Sequence, residues 1–540
     1  MTNHQCCEQS VTSQIDELFA KWDQLDSPGA AVIIIRDGEV IHEKGYGSAQ
    51  LEYDLPITPT TIFHVASVSK QFTTMSILLL ADEGKLSLDE DIQHYLPWVP
   101  QFDHNITIRH LIHHTSGLRD QWALLRLAGW RMDDVITTEH IKKMVRHQRD
   151  LNFPPGEEHL YSNTGYTLMA EIIQQVTGKS LREFARERIF EPLDMNRTHF
   201  HDDHQEIVPD RAYSYSENEN SGYQKSILSY ANIGATSLFT TVEDLAKWLV
   251  NFDQQLVGNA KVMERMHERY VLNNGETISY AGGVSYTEHR GLQMIGHGGA
   301  DAGFRSYCGR FAEHNLGIVI LSNLATCNPG SLAKKIGEIC LSEHLDKPSP
   351  EKQNADLPPA DSEEMKQCTG TYVLSPYGLI RVSYSESGFT IKRGKQSPVK
   401  LIPDGGLNFK VEGRDQQVSF KQDDAGKITS LEYILPGRTL NAQKKQMPCM
   451  SRDELTEFEA DYFSPELRTT YSFVAEDGKL VMKHQRHEDT EIVPLDENTF
   501  MGKGRRPGKI MFKEDSAGQI MGFELTAGRI RNVKFNRIGE

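Results

Sequence analysis

Apolar residues gather first in a short run near the N-terminus. Ala31-Val32-Ile33-Ile34-Ile35 leads through Arg36 into Asp37-Gly38, and a second run, Glu39 to Glu43, returns. An Asp-Gly pair between two such runs predicts a tight hairpin, because both turn positions need positive φ. The period then changes. After Ser67, apolar residues recur at Val68, Phe72, Met75, Leu79 and Ala81, with Leu78 and Leu80 widening the stripe, so a largely buried helix is expected up to Gly84. Leu168, Met169, Ile172, Ile173 and Val176 define a second helical face closed by Gly178. Ser180-Leu181-Arg182-Glu183 and Thr240-Thr241-Val242-Glu243 read as capping boxes, and Ser331 as the N-cap of a helix from Leu332 to Leu341. Two strand-like runs, Arg305 to Phe311 and Leu316 to Ser322, can join the first hairpin in one antiparallel sheet. The expected fold class is α/β: an antiparallel sheet flanked by helices, a helical lobe from residues 65 to 250, and a site between the lobes.

Residues 346–362 break this pattern with Pro348, Pro350, Pro358 and Pro359 among several acids, which marks a linker. Beyond it the chain repeats itself. Phe420-Lys421 with Asp423, Ala425, Gly426, Ile428 and Glu432 recurs 92 positions later as Phe512-Lys513 with Asp515, Ala517, Gly518, Ile520 and Glu524. Short alternating strands and turn signals fill both units, so residues 363–447 and 448–540 are expected to form two all-β antiparallel barrels after a domain of residues 1–345. A glycine-rich basic stretch, Met501 to Lys509, reads as an exposed loop of the second barrel rather than a strand.

The chain's 540 residues exceed one ordinary core, and a net charge of −17 argues against nucleic acid or an anionic membrane as partner. No apolar run approaches the ~18 residues of a spanning helix. Met1 to Asp23 has no apolar h-region and does not read as a signal peptide. Seven scattered cysteines without metal spacing fit reduced thiols, and a cytoplasmic location is expected. Two histidine clusters invite a metal reading. His199, His201, Asp202, Asp203 and His204 precede acidic, Ser/Asn-rich sequence and are expected to be a solvated loop; His110, His113 and His114 are expected to be structural. Neither a metal nor a cofactor is expected.

Three short motifs carry the candidate chemistry. Ser67 and Lys70 lie one turn apart at a helix start, where the helix dipole and a buried, neutral lysine can activate a hydroxyl. The same spacing occurs at Ser331/Lys334, Ser349/Lys352 and Ser397/Lys400, but only Ser67 opens a buried helix. Tyr161-Ser162-Asn163 is pinned between the Pro154-Pro155-Gly156 turn and the following helix; its rival, Tyr230-Ala231-Asn232, lacks that anchoring. A phenol beside an ammonium can relay protons, and Asn163 supplies a donor and an acceptor for a substrate amide. His297-Gly298-Gly299 precedes the two strand-like runs, so it is placed on a sheet edge where Gly298 and Gly299 let a substrate backbone approach. Backbone N–H groups of Ser67 and Ala300 are the candidate oxyanion hole.

In order and spacing, these motifs resemble those of the penicillin-recognising serine hydrolases. The similar branch contains class C β-lactamases, D-alanyl-D-alanine carboxypeptidases, D-aminopeptidases and family VIII esterases. Phe63-His64-Val65-Ala66, His114-Thr115-Ser116-Gly117-Leu118, Pro155-Gly156 and Gly303-Phe304 resemble its flanking segments, over about residues 15 to 345. The resemblance implies an acylated Ser67, Lys70 as its base, Tyr161 as proton shuttle, Asn163 on the scissile amide and His297 facing the substrate's far end. The chain lacks the Lys-Thr-Gly of class A and class C β-lactamases, and a largely neutral histidine attracts a carboxylate less than lysine, so efficient β-lactam hydrolysis is not expected. The two-barrel layout resembles D-aminopeptidases, in which a last-domain loop restricts the cleft; the Met501–Lys509 loop is expected to act alike. The expected activity is hydrolysis of small amides or short peptides. A carboxylesterase of the same fold and a ligand- or partner-binding protein of reduced activity are the alternatives, and the oligomeric state stays open.

Overall fold

Asp37 and Gly38 both take positive φ, 52° and 85°, and turn the strand Ala30–Arg36 back into Glu39–Tyr46, as an Asp-Gly turn allows. In this computed structural model the hairpin forms one edge of a six-stranded sheet. Its order is Ser285–His289, Leu292–Asp301, Phe304–Phe311, Leu316–Ser322, Ala30–Arg36, Glu39–Tyr46, with every neighbouring pair antiparallel. The structure describes residues 3–346 except 219 and 221, and 366–539 except 376–377, 386–387, 395, 415, 436–437 and 504–507.

Strand Ala30–Arg36 lies between two others and is buried on both faces, which explains its unbroken apolar run. On one face Val32, Ile34, Ile318 and Ile320 pack with Ile15 and Phe19 of helix Asn3–Phe19 and with Leu332 and Ile336 of helix Pro329–Cys340. On the other lies helix Val242–Gln254. The helical lobe centres on Ser69–Asp82 and Asn163–Thr177, which pack together and against shorter helices such as Ile108–Ile112 and Leu181–Ala185. Among the described residues no helix is long and apolar enough to cross a membrane.

Two caps differ from the sequence reading. Thr241, not Thr240, caps Val242–Gln254, because its side chain accepts from Asp244 N. Asn328 caps Pro329–Cys340 by accepting from Ser331 N, so Ser331 lies inside the helix. In both cases two residues of capping type lie within three positions of each other, and composition alone does not choose between them. The middle of the chain also holds short strands, such as Leu238–Thr240 between Phe63–His64 and His199–Phe200.

The chain divides into two units: Met1–Gln121 with Arg131–Lys347, and Trp122–Trp130 with Pro348–Glu540. The second unit contains two closed eight-stranded antiparallel barrels, from Gly370–Leu374 to Arg438–Lys444 and from Ala460–Ser464 to Ile530–Ile538. The 92-residue repeat has a structural counterpart: register shifts fall at Lys421/Gln422 and at Lys513/Glu514. In each turn that follows, an aspartate carboxylate, Asp423 or Asp515, accepts two backbone N–H groups. The nine residues Trp122–Trp130 leave the first unit in sequence and return to it, an excursion with no compositional mark. The linker read at 346–362 lies outside the described residues beyond Asp346, as do residues 504–507 of the basic stretch. Met501, Gly502 and Lys509, read as loop, belong to strands Thr499–Gly502 and Lys509–Glu514. Glycine and charge made them look unpaired, but barrel closure supplies each with a ladder partner.

Candidate active site

Ser67 sits in a 3₁₀ turn, Ala66–Val68, that leads into the helix Ser69–Asp82. Ala66 holds φ 47°, a left-handed conformation that costs a residue with a Cβ about 1 kcal/mol or more. The strain is held by the surroundings. Ser69 Oγ donates to Ala66 O at 2.5 Å and accepts from Leu238 N at 3.0 Å, fixing the turn to a neighbouring strand.

Lys70 is fully buried. Its ammonium donates to Ser67 Oγ at 3.1 Å, to Asn163 Oδ1 at 2.8 Å and to Ala235 O at 2.6 Å. Three donors thus meet three acceptors, which fixes Nζ beside the hydroxyl with no freedom to rotate away. The rings of Tyr161 and Tyr166 cover it, with centroids 4.9 Å and 5.3 Å from Nζ.

Asn163 is the first residue of helix Asn163–Thr177, where its backbone N–H has no intrahelical acceptor. Asp120 supplies one: its Oδ2 accepts from Asn163 N at 2.9 Å and from Asn163 Nδ2 at 2.7 Å. That pairing orients the amide so that its oxygen faces Lys70. Asp120→Ala is expected to lower kcat about 10-fold with little change in KM, and to cost about 2 kcal/mol in a denaturant melt, because both Asn163 N–H groups lose the oxygen that accepts them.

Tyr161 is held from both sides by His114. Leu160 N donates to His114 O at 3.0 Å, Ser162 N donates to His114 Nδ1 at 3.1 Å, and the Tyr161 and His114 ring centroids lie 4.1 Å apart. The ring nitrogens of His113 lie 2.9 Å and 3.0 Å from the carbonyls of Arg109 and Glu268, the protonated one donating, and His110 completes a capping box with Thr107. The histidine-rich segment is therefore the scaffold of the tyrosine loop. Tyr230 lies elsewhere, on a strand paired with Ile136–Thr137, its hydroxyl 3.8 Å from the Met132 sulfur.

His297, Gly298, Gly299 and Ala300 run along strand Leu292–Asp301, past the point where the outer strand Ser285–His289 stops pairing at Gly296. The segment is therefore an open edge, the geometry to which an extended substrate can add. Gly299 serves a purpose the sequence did not indicate. A Cβ there would lie 2.3 Å from Val65 O and from Ser306 Oγ, so glycine lets the strand close on the turn that carries Ser67. Gly298 is the open position, where a Cβ would meet only Ser306 O at 3.5 Å. The strand's end is fastened by Asp301, whose carboxylate is 3.0 Å from His64 Nε2 and accepts from Thr236.

His297 differs from the substrate-facing residue expected. Both ring nitrogens are engaged by the protein: Nδ1 donates to Gly298 O at 2.5 Å, and Nε2 accepts from Tyr280 Oη at 3.1 Å. Burial holds the Tyr280 phenol well above its ordinary range, so it remains a donor. Burial first, then the Lys70 charge, pushes His297 down to about 4 from 6.5. Between those values the folded protein binds fewer protons at His297 than the unfolded chain. Stability is thus fully present above pH 6.5 and falls as pH drops toward 4, by about 3 kcal/mol for this group. His297→Gln is expected to flatten the fall in melting temperature measured between those two pH values.

The sequence missed three contributors. Ala235, through its carbonyl, and Tyr280 carry no motif; Asp120 directly follows the His114–Leu118 segment and Arg119, so its place was marked but its role was not. One cluster read as a solvated loop is solvated only in part: Asp203 is exposed, but the histidines beside it are not. His201 is 2% exposed and packs on Phe239 at 4.5 Å, and ligand atoms of His199, His201 and Glu206 lie within 4.8 Å of one another. The Arg182 guanidinium donates to both oxygens of Glu206 at 2.7 Å.

The Beta-lactamase family model matches residues 15–336, more than half of the chain. D-aminopeptidase of Gluconobacter oxydans is 30% identical over 296 residues, covering 55% of this chain and only 56% of its own length. D-aminopeptidase of Brucella canis is 24% identical over 538 residues, covering 95% of this chain and 96% of that relative. Among solved structures, the octameric penicillin-binding protein homologue from Pyrococcus abyssi is similar with a TM-score of 0.56 and 26% identity, over 81% of this chain and 99% of that one.

Proposed function

Since the chain belongs to the Beta-lactamase family, we propose that it is a serine hydrolase that acylates Ser67 with small amides or short peptides, as a D-aminopeptidase would, and releases the acyl group to water. The observation that carries this reading is Lys70 Nζ at 3.1 Å from Ser67 Oγ, with its other two donors already committed. In the reacting state Lys70 is the neutral amine and accepts the hydroxyl proton as Oγ bonds to the substrate carbonyl carbon. The backbone N–H groups of Ser67 and Ala300 receive the developing oxyanion. Tyr161, packed against Lys70, passes a proton to the departing amine nitrogen as the C–N bond breaks. Water then attacks the ester, its proton returns through the same groups, and the C–Oγ bond breaks to restore Ser67.

Asn163 has a double part, positioning Lys70 through Oδ1 and lying where a substrate amide would bind. His297 acts by holding Tyr280 beside Tyr161. The open edge at Gly298 receives the substrate backbone. Names of the relatives support amides as substrates, and the match to the Brucella relative over 95% of this chain, both barrels included, fits the same assignment. The buried, neutral His297 gives a carboxylate no positive partner, so charged β-lactams are expected to be poor substrates.

The test is a side-by-side panel of D- and L-amino acid p-nitroanilides, short p-nitrophenyl esters and a chromogenic cephalosporin. A preference in kcat/KM for the D-anilides is the expected result. Esters alone being turned over would replace the amidase with an esterase, and no turnover of any would favour a binding protein. Tyr161→Phe is expected to lower kcat about 10²-fold on the best substrate. Tyr230→Phe should leave it unchanged, and the reverse ranking would assign the proton shuttle to the wrong tyrosine.

A further inference from the structure

The second barrel is filled unevenly along its axis. Toward one end Phe458, Phe500 and Phe512 pack with ring centroids 4.6 Å to 5.6 Å apart. At the other end lies a cavity of about 280 Å³. Its wall is drawn from the last residues of strands Lys479–Lys483, Thr499–Gly502 and Ile520–Ala527 and the first of Thr490–Pro494, Lys509–Glu514 and Ile530–Ile538. In an up-and-down barrel those positions share one rim, so the cavity is a barrel mouth. Met482, Ile510, Leu525 and Ile530 make its interior apolar.

Residues Trp122–Trp130 form the mouth's side wall within the same unit. The segment is fixed rather than draped. Tyr471 Oη donates to Leu127 O at 3.0 Å, His487 Nε2 donates to Arg126 O at 2.7 Å, and a Cβ at Gly129 would fall 2.4 Å from His484 Cε1. Two guanidinium groups, Arg126 and Arg393, line the opening together with one carboxylate, Glu488. Arg393 is steadied over the Tyr433 ring at 5.9 Å. In a chain of net charge −17, a preformed apolar cavity with two arginines against one glutamate in its lining favours a singly charged anion with an apolar body.

We propose that the mouth of the second barrel is a binding site for a small monocarboxylate with an aryl or branched alkyl body, the body seated on Met482, Ile510, Leu525 and Ile530 and the carboxylate paired with Arg126 and Arg393. The volume suits about a dozen non-hydrogen atoms, since a cavity near half that size holds benzene. This site is separate from Ser67 and stands or falls independently of the acyl-enzyme reading.

Titrating the full chain with 4-phenylbutyrate and with the uncharged 4-phenyl-1-butanol tests it, read by calorimetry and by the fluorescence of Trp122 and Trp130, which bracket the wall. Saturable one-to-one binding of the acid, about 10-fold tighter than the alcohol, is expected. Arg126→Gln with Arg393→Gln should bring the acid down to the alcohol's affinity and leave the alcohol unchanged. Ala527→Phe, which fills the mouth, should remove both. Equal affinities for acid and alcohol, an acid affinity indifferent to the two arginines, or no saturable binding would overturn the proposal. The arginine variants change exposed or half-buried side chains, so the test stands even if Ala527→Phe fails to fold.

Discussion

Ser67→Ala is expected to lower kcat on the best amide substrate by about 10⁴-fold or more, the scale on which loss of a nucleophile acts when the other groups depend on it. The fold should persist. Ser67 is only half-buried, its side chain fills no core space, and the strained turn around it is held by Ser69 and Leu238 rather than by the hydroxyl. Removing the Oγ also relieves Lys70 of one acceptor and leaves two. An unchanged or raised melting temperature, with activity at background, is the combination that separates lost chemistry from lost structure.

Lys70→Arg is expected to cost about 10³-fold in kcat despite conserving charge. A guanidinium stays protonated and cannot take a proton from Ser67. The pocket was also built for a tetrahedral donor: three acceptors converge on one atom, and a planar fork cannot satisfy Ser67, Asn163 and Ala235 from a single nitrogen. The variant should therefore lose stability as well, unlike Ser67→Ala. If Lys70→Arg kept more than a tenth of the parent kcat, proton abstraction would have to be assigned to another group.

The first hairpin, both long helices of the lobe and the duplicated barrel turn were legible because each is written in local terms: an Asp-Gly turn, a 3.6-residue stripe ended by glycine, an aspartate accepting two nearby N–H groups. Ser67 with Lys70, Tyr161 and Asn163 could be read because loop and helix-start positions leave a characteristic pattern. What escaped was long-range. The Lys70 cage needs the Ala235 carbonyl, 165 residues away, and the Asn163 orientation needs Asp120, 43 residues before it. No spacing rule connects such positions. Gly299 illustrates a different difficulty: glycine at a sheet edge is compatible with an approaching substrate or with an approaching backbone, and only the position of Val65 O decides. Trp122–Trp130 joins the barrels for reasons equally hard to see in sequence, since two of its anchors are its own backbone carbonyls, which any residue would supply.

The most direct measurement of the acyl-enzyme account is peptide mass spectrometry of the native chain after treatment with a fluorophosphonate. One adduct on the peptide containing Ser67, absent from Lys70→Arg, is the predicted result. An adduct on Ser331 or any other serine, or an enzyme that keeps turning over substrate with Ser67 unlabelled, would contradict it.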